Sequence, residues 1–381
     1  MKNRLTGKPI WLLMSMLIFQ SLSLLTISVN LTLAQGQARE KKSKSIGTAV
    51  VKNKQHASTI VTEKLVSKIL RNTMVDLDSM RIIKVYLPPQ YAASEKSYPV
   101  VYYFHNIFWS AEKMFDGANL QALLDRAFAN GVINEFIFVV ADYTKSKGVC
   151  LFENSPATGR WLDFTVNELV PFIDRRFRTI RESGSRGLAG DMMGGRGALA
   201  LAMKHPDIFS SVYALNPVAT GTGLLPMPAY PDWQKIHKAK SFNDLKDDPI
   251  SQIFVTMSQA FLPNPDRPPF YCDFLMEMED NQLKLQMENA RKLKSGFLLD
   301  HWVDTYAANL QKLNGIAFDW SRYDPIQDHV YASQAFTRKL ENSGIAHDAE
   351  EYRGVYWIEN WKDEGRFYSR LLPFFSRHLK F

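Results

Sequence analysis

Residues 187–198 read GLAGDMMGGRGA. Gly190-Asp191-Met192-Met193-Gly194 has the glycine spacing of a sharp strand-to-helix turn. In such a turn the small residues let strand and helix pack closely, so the middle side chain projects into a pocket. A serine or cysteine at that point attacks a carbonyl once a base has taken its proton. Met192 carries a thioether, which has no proton to lose. The spacing therefore keeps a platform for acyl chemistry and places no nucleophile on it. Asp191 and Arg196 flank the turn; they either serve the pocket or pair with each other at the helix start. Histidines and carboxylates show neither HExxH nor CxxC spacing, so no metal and no cofactor is expected.

The elements that must hold this turn alternate between strands and amphipathic helices. MRIIKVYLPP (80–89) reads as a strand stopped by prolines, and YPVVYYFH (98–105) and FIFVVADY (136–143) as strands buried on both faces. SRGLAGD (185–191) enters the turn and GGRGALALAMKHP (194–206) leaves it as a helix. SSVYALNP (210–217), GIAFDW (315–320) and a strand within 341–354 complete the set, and residues 365–379 close it as a helix. Further helices are expected over 119–131 and 161–177. This alternation implies an α/β fold with a doubly wound, mostly parallel sheet. Residues 218 to about 312, rich in proline, methionine and aromatics, interrupt it as a helical cap insertion.

The chain has 381 residues, 46% of them hydrophobic, enough for one large core. Its net charge of +7 is concentrated in the first 64 residues, which hold ten basic and two acidic side chains. The remainder is close to neutral, which argues against a nucleic-acid partner. Lys2, Arg4 and Lys8 precede an apolar run at 10–19, and Thr32 and Ala34 fit a cleavage site, so 1–34 reads as an export signal. An uncleaved anchor is the alternative, and no other segment reads as a membrane span. Residues 35–64 read as a basic flexible linker and 65–381 as the folded domain, in a secreted or periplasmic protein. Cys150 and Cys272 are too few for a disulfide scaffold; one bond between them is left open.

From about residue 80 to the end, the order of segments resembles the esterase branch of the α/β-hydrolases, which includes S-formylglutathione hydrolases, feruloyl esterases and mycolyltransferases. YPVVYYFH, ENSPATGRWLDFTVNELVPFID, GLAGDMMGGRGALALAMKHPDIFSSVYALNP and LPFFSRHL carry the resemblance. It implies the α/β-hydrolase fold and assigns site positions. Met192 takes the nucleophile position. Asp324, in Asp319-Trp320-Ser321-Arg322-Tyr323-Asp324, takes the acid position or is a turn residue before Pro325. Tyr356 stands where the histidine base is expected, and an ordinary phenol is a poor base at neutral pH. His347 and His378 read as structural, while His329 lies near Asp324 and is a candidate replacement base. Backbone N–H groups of Met193 and Asn106 are the expected oxyanion donors. His105, Arg196, Trp161 and Trp357 are expected at the pocket, with Trp109, Trp320 and Trp361 near its mouth.

Removing the serine or histidine of a catalytic triad costs on the order of 10⁶ in kcat. Three functions are therefore open: a pseudoenzyme that binds an apolar or aromatic small molecule, a non-hydrolytic lyase, isomerase or cyclase using Tyr356, Asp324 and Asp191 as acid and base, or a divergent esterase with a relocated base.

Overall fold

The computed structural model describes residues 57–75, 77–144, 150–221 and 230–381. They fall within one unit, Gln55–Phe381. The export signal and most of the basic linker lie outside the described residues.

Eight strands form one sheet: β1 Thr59–Val66, β2 Met80–Leu87, β3 Val100–Phe104, β4 Ile137–Ala141, β5 Arg186–Asp191, β6 Ser211–Leu215, β7 Gly315–Ser321 and β8 Asp348–Tyr352. Their spatial order is β1-β2-β4-β3-β5-β6-β7-β8. β1 with β2 and β2 with β4 pair antiparallel; every pair from β4 onward is parallel. The central strands β3 to β6 are buried residue by residue, and β3 and β4 are accordingly continuous apolar runs. Alternation still decides the face. Val100, Tyr102 and Phe104 enter one apolar cluster, and Val101 and Tyr103 the cluster on the opposite side. Each large apolar side chain buried this way contributes about 1.5–3 kcal/mol.

β1 starts at Thr59, inside the segment read as linker. It is an edge strand with half of its residues exposed, so its Lys and Glu side chains disguise the alternation of Ile60, Thr62 and Val61, Leu65. The helix expected over 161–177 forms as Trp161–Phe164, a π-turn at Thr165–Leu169, and Val170–Arg176. Pro171 cannot donate to the preceding turn, and the widened turn absorbs that loss. The closing helix repeats the device, with a π-turn at Phe367–Leu371 ahead of Pro373. Between β6 and β7 the insertion carries helices Trp233–Lys238, Pro249–Phe261, Met287–Phe297 and Val303–Leu310. It also carries a two-stranded ribbon, Met276–Glu279 with Gln282–Leu285. No helix among the described residues is long and apolar enough to cross a membrane.

Candidate active site

Met192 sits between the end of β5 and the helix Met193–Lys204, with φ 52° and ψ −117°. That conformation is strained for a residue with a Cβ, and it persists only because its surroundings impose it. The backbone is tied on both sides: Met192 N–H donates to Leu215 O at 3.0 Å, and its carbonyl accepts from Arg196 N–H at 3.1 Å. The flanking glycines are required by close approach. A Cβ on Gly190 would lie 2.5 Å from the Gly194 carbonyl carbon, and one on Gly194 would overlap the Phe104 carbonyl. The strand end, the helix start and the end of β3 are therefore packed backbone to backbone. The Met192 side chain is partly buried and packs against the main apolar cluster.

Asp191 is fully buried beside the turn. Tyr103 OH donates to its Oδ1 at 2.9 Å and Asn106 Nδ2 to its Oδ2 at 2.7 Å. Burial pushes its pKa up to about 6, while these donors, with the Asn106 backbone amide, pull it down. Tyr103 is not singled out by the sequence because it sits in an apolar run. A tyrosine in a strand buried on both faces needs a partner for its hydroxyl, and that need is the available signal.

On the opposite side, Asp324 follows β7 and is 3% exposed. Its Oδ1 accepts from Ile326 N–H at 2.8 Å, a turn contact, and its Oδ2 lies 3.1 Å from His329 Nδ1. Asp324 thus closes its own turn and also contacts an imidazole. With the Nδ1 proton directed at the carboxylate, His329 Nε2 is left as an acceptor. Tyr356 begins the helix Tyr356–Trp361 just past β8. Its phenol pKa is raised by burial, then by the charges of Asp324 and Asp191. The structure thus brings Tyr356 within electrostatic reach of both carboxylates. The direction of this shift adds to the reluctance of a phenol to act as a base.

The assignments of Arg196 and Trp161 change. Arg196 does not pair with Asp191 and is not at the pocket surface. It is fully buried, with Nε on Phe297 O at 3.0 Å, Nη2 on Gly296 O at 2.9 Å, and Glu153 Oε2 at 3.3 Å. It ties the helix after the turn to the end of the cap helix Met287–Phe297. Trp161 is 1% exposed, its indole N–H on Thr158 O at 2.8 Å, so it is a core residue. His105 is 2% exposed and lines a cavity of about 150 Å³ together with Asn106 and Trp109. Its Nδ1 lies 2.8 Å from Asn106 O and its Nε2 accepts from Tyr143 N–H at 3.0 Å. Burial lowers its pKa, so the ring is neutral with both nitrogens engaged. The Asn106 side-chain amide donates to Asp191, and its Oδ1 accepts from Phe108 N–H at 2.9 Å. Met193 remains at the first helical position, where the backbone N–H has no partner within the helix.

Trp357 is partly exposed, its ring tilted at 43° against Trp109 with centroids 4.5 Å apart, and next to Trp361 at 6.0 Å. Trp320 is buried, its indole N–H on Glu351. His347 Nδ1 donates to Ile345 O at 2.9 Å and His378 Nδ1 to Asn314 O at 2.8 Å. A second buried cluster is one the sequence does not reveal. Asp319 Oδ2 accepts from Tyr213 OH at 2.8 Å and Arg366 Nε at 2.9 Å, and Arg366 also chelates Glu350. Glu350 is held down at about 2 by this pairing with Arg366. Cys150 and Cys272 are buried in separate parts of the core, and no disulfide joins them. Among the described residues no group of histidine, cysteine and carboxylate side chains could hold a metal ion.

Strand order, the strained turn after β5, and the acid after β7 define an α/β-hydrolase fold. The comparisons narrow it. A family model described as Putative esterase matches residues 75–285, more than half of the chain, and the chain belongs to that family. Esterase Rv1288 of Mycobacterium tuberculosis is 30% identical over 134 residues, 34% of this chain and 27% of the relative. An endo-1,4-beta-xylanase/feruloyl esterase of Xylanibacter ruminicola is 28% identical over 137 residues, 34% of this chain and 18% of the relative. The matches thus span about a quarter or less of these relatives' own length. A solved ferulic acid esterase has a TM-score of 0.58 at 20% identity, over 85% of this chain and 100% of that one. S-formylglutathione hydrolase from Agrobacterium tumefaciens has a TM-score of 0.54 at 13% identity, over 86% and 98%. Both share the fold.

Proposed function

We propose that this chain is an exported member of the esterase family that has given up ester hydrolysis and binds a small, apolar or aromatic ligand. One observation carries the reading. The residue held in the strained turn, where acyl transfer needs a nucleophile, is Met192. The neighbouring groups do not replace it. Asp191 is sealed in by Tyr103 and Asn106, Tyr356 keeps its proton, and Arg196 is spent on Glu153 and the cap. The acid–base reading loses its Asp191 member for the same reason, since no substrate reaches a carboxylate that is fully buried and already bonded. The thioether and the Trp109–Trp357 pair offer an adaptable apolar surface. The relatives' names, feruloyl esterase among them, support an aromatic acid or ester as ligand.

The test is an assay of the purified protein on short acyl and feruloyl esters, paired with thermal-shift binding of the corresponding acids. Ligand-dependent stabilisation without turnover is expected. Turnover in the range of ordinary enzymes, about 1–10³ per second, would overturn the reading.

The 3.1 Å contact of His329 with Asp324 favours a second reading, a divergent esterase in which this pair activates water. It requires slow turnover that disappears in His329→Ala and persists in Tyr356→Phe.

A further inference from the structure

The cap contains a cavity of about 350 Å³ whose walls are carbon almost throughout. Helices Trp233–Lys238, Pro249–Phe261 and Met287–Phe297 supply Trp233, Phe254, Met257, Leu293 and Phe297 to it. The hairpin ribbon supplies Met276 and Leu285. Protein interiors rarely leave voids larger than a water molecule, because the lining atoms forfeit their contacts. This one is open to solvent at a rim that keeps large apolar side chains in water: Tyr230 is 78% exposed and Leu285 52%.

The charges around it are uneven. Arg291 and Lys292 pair with Glu288, and Lys284 pairs with Glu279 and Asp280. Lys294, exposed and lining the cavity, has no carboxylate partner among the described residues. An apolar slot with one unanswered cation at its edge fits an alkyl chain with an anionic head.

We propose that the cap binds one medium-chain fatty carboxylate, its chain between Trp233, Phe254, Met257 and Phe297 and its head at Lys294. The volume lies at the small end of ligand sites, about 300–1,000 Å³, and suits a chain on the order of ten carbons. This site is distinct from the turn at Met192 and does not depend on the reading of that turn. The free acid is the occupant the geometry favours, because a bulky headgroup would meet the exposed side chains at the rim.

Isothermal titration below micelle-forming concentrations tests it, with octanoate, decanoate, dodecanoate and decyltrimethylammonium as probes. One carboxylate should bind per chain, with affinity rising about fourfold per methylene from eight to ten carbons. The ammonium probe should bind at least tenfold more weakly, and Lys294→Glu should reverse that preference. Ala290→Trp, which fills the cavity from the partly exposed face of its helix, should abolish decanoate binding while the protein still melts cooperatively. Absence of saturable decanoate binding, or binding unchanged in both Lys294→Glu and Ala290→Trp, would overturn the proposal.

Discussion

The turn after β5 and the loops after β7 and β8 present different kinds of group. The turn holds a strained backbone and presents the Met192 thioether. The loops present titratable groups, Asp324 with His329 and Tyr356. The difference lies in what each region needs in order to fold. At Gly190 and Gly194 the requirement is backbone against backbone, and it is blind to the side chain at Met192. A nucleophile can therefore be replaced without disturbing the platform. Asp324 is retained on two grounds at once, since it also accepts Ile326 N–H and closes its own turn.

The largest effect should come from restoring the missing chemistry. Met192→Ser with Tyr356→His is expected to raise hydrolysis of short acyl esters on the order of 10³-fold over the unmodified protein. Met192→Ser alone should give far less. If the single variant is as active as the pair, His329 is serving as the base and the contrast between turn and loops collapses.

Stability separates the two regions next. Gly194→Ala drives a Cβ into the Phe104 carbonyl, so it should cost about 3 kcal/mol or more, measured by denaturant midpoint. Met192→Ser at the neighbouring position should cost much less. Equal losses would mean that the Met192 side chain, rather than the glycine packing, holds the turn.

A smaller effect is expected from Asp191. Its pKa is raised to about 6 by burial, so the folded state favours the protonated form. The stability this gives is fully present below about pH 4 and is lost as pH rises through about 6, a change of roughly 2–3 kcal/mol. Melting curves between pH 4 and pH 7.5 should show the unmodified protein losing stability relative to Asp191→Asn. Parallel curves for the two proteins would show that the carboxyl is not desolvated. Smallest of all, His329→Gln should lower stability by about 1 kcal/mol through the contact with Asp324, and leave the turn at Met192 unaltered.

Much of the fold is legible in the residues themselves. Continuous apolar runs mark β3 and β4 because strands buried on both faces need them, and the glycine spacing marks the turn because close approach needs it. β1 is not legible: an edge strand exposes half its residues, and the charges it carries read as linker. The partners of buried polar groups are not legible either. Arg196 is four residues from Met192 in sequence, yet its guanidinium reaches Glu153 and the carbonyls of Gly296 and Phe297. Position in the chain points Trp161 toward a pocket, and it turns inward.

The sequence by itself determined the class of the sheet, the position and shape of the turn, and the absence of a proton on the side chain it presents. Those follow from local sterics and from atoms written into each residue. Tertiary structure alone decided which groups could still act. It sealed Asp191 behind Tyr103 and Asn106, set His329 against Asp324, and partly buried Tyr356 near two carboxylates, which raises its phenol pKa. Protonation and reach depend on burial and on neighbours brought from distant parts of the chain, and only the folded chain supplies those.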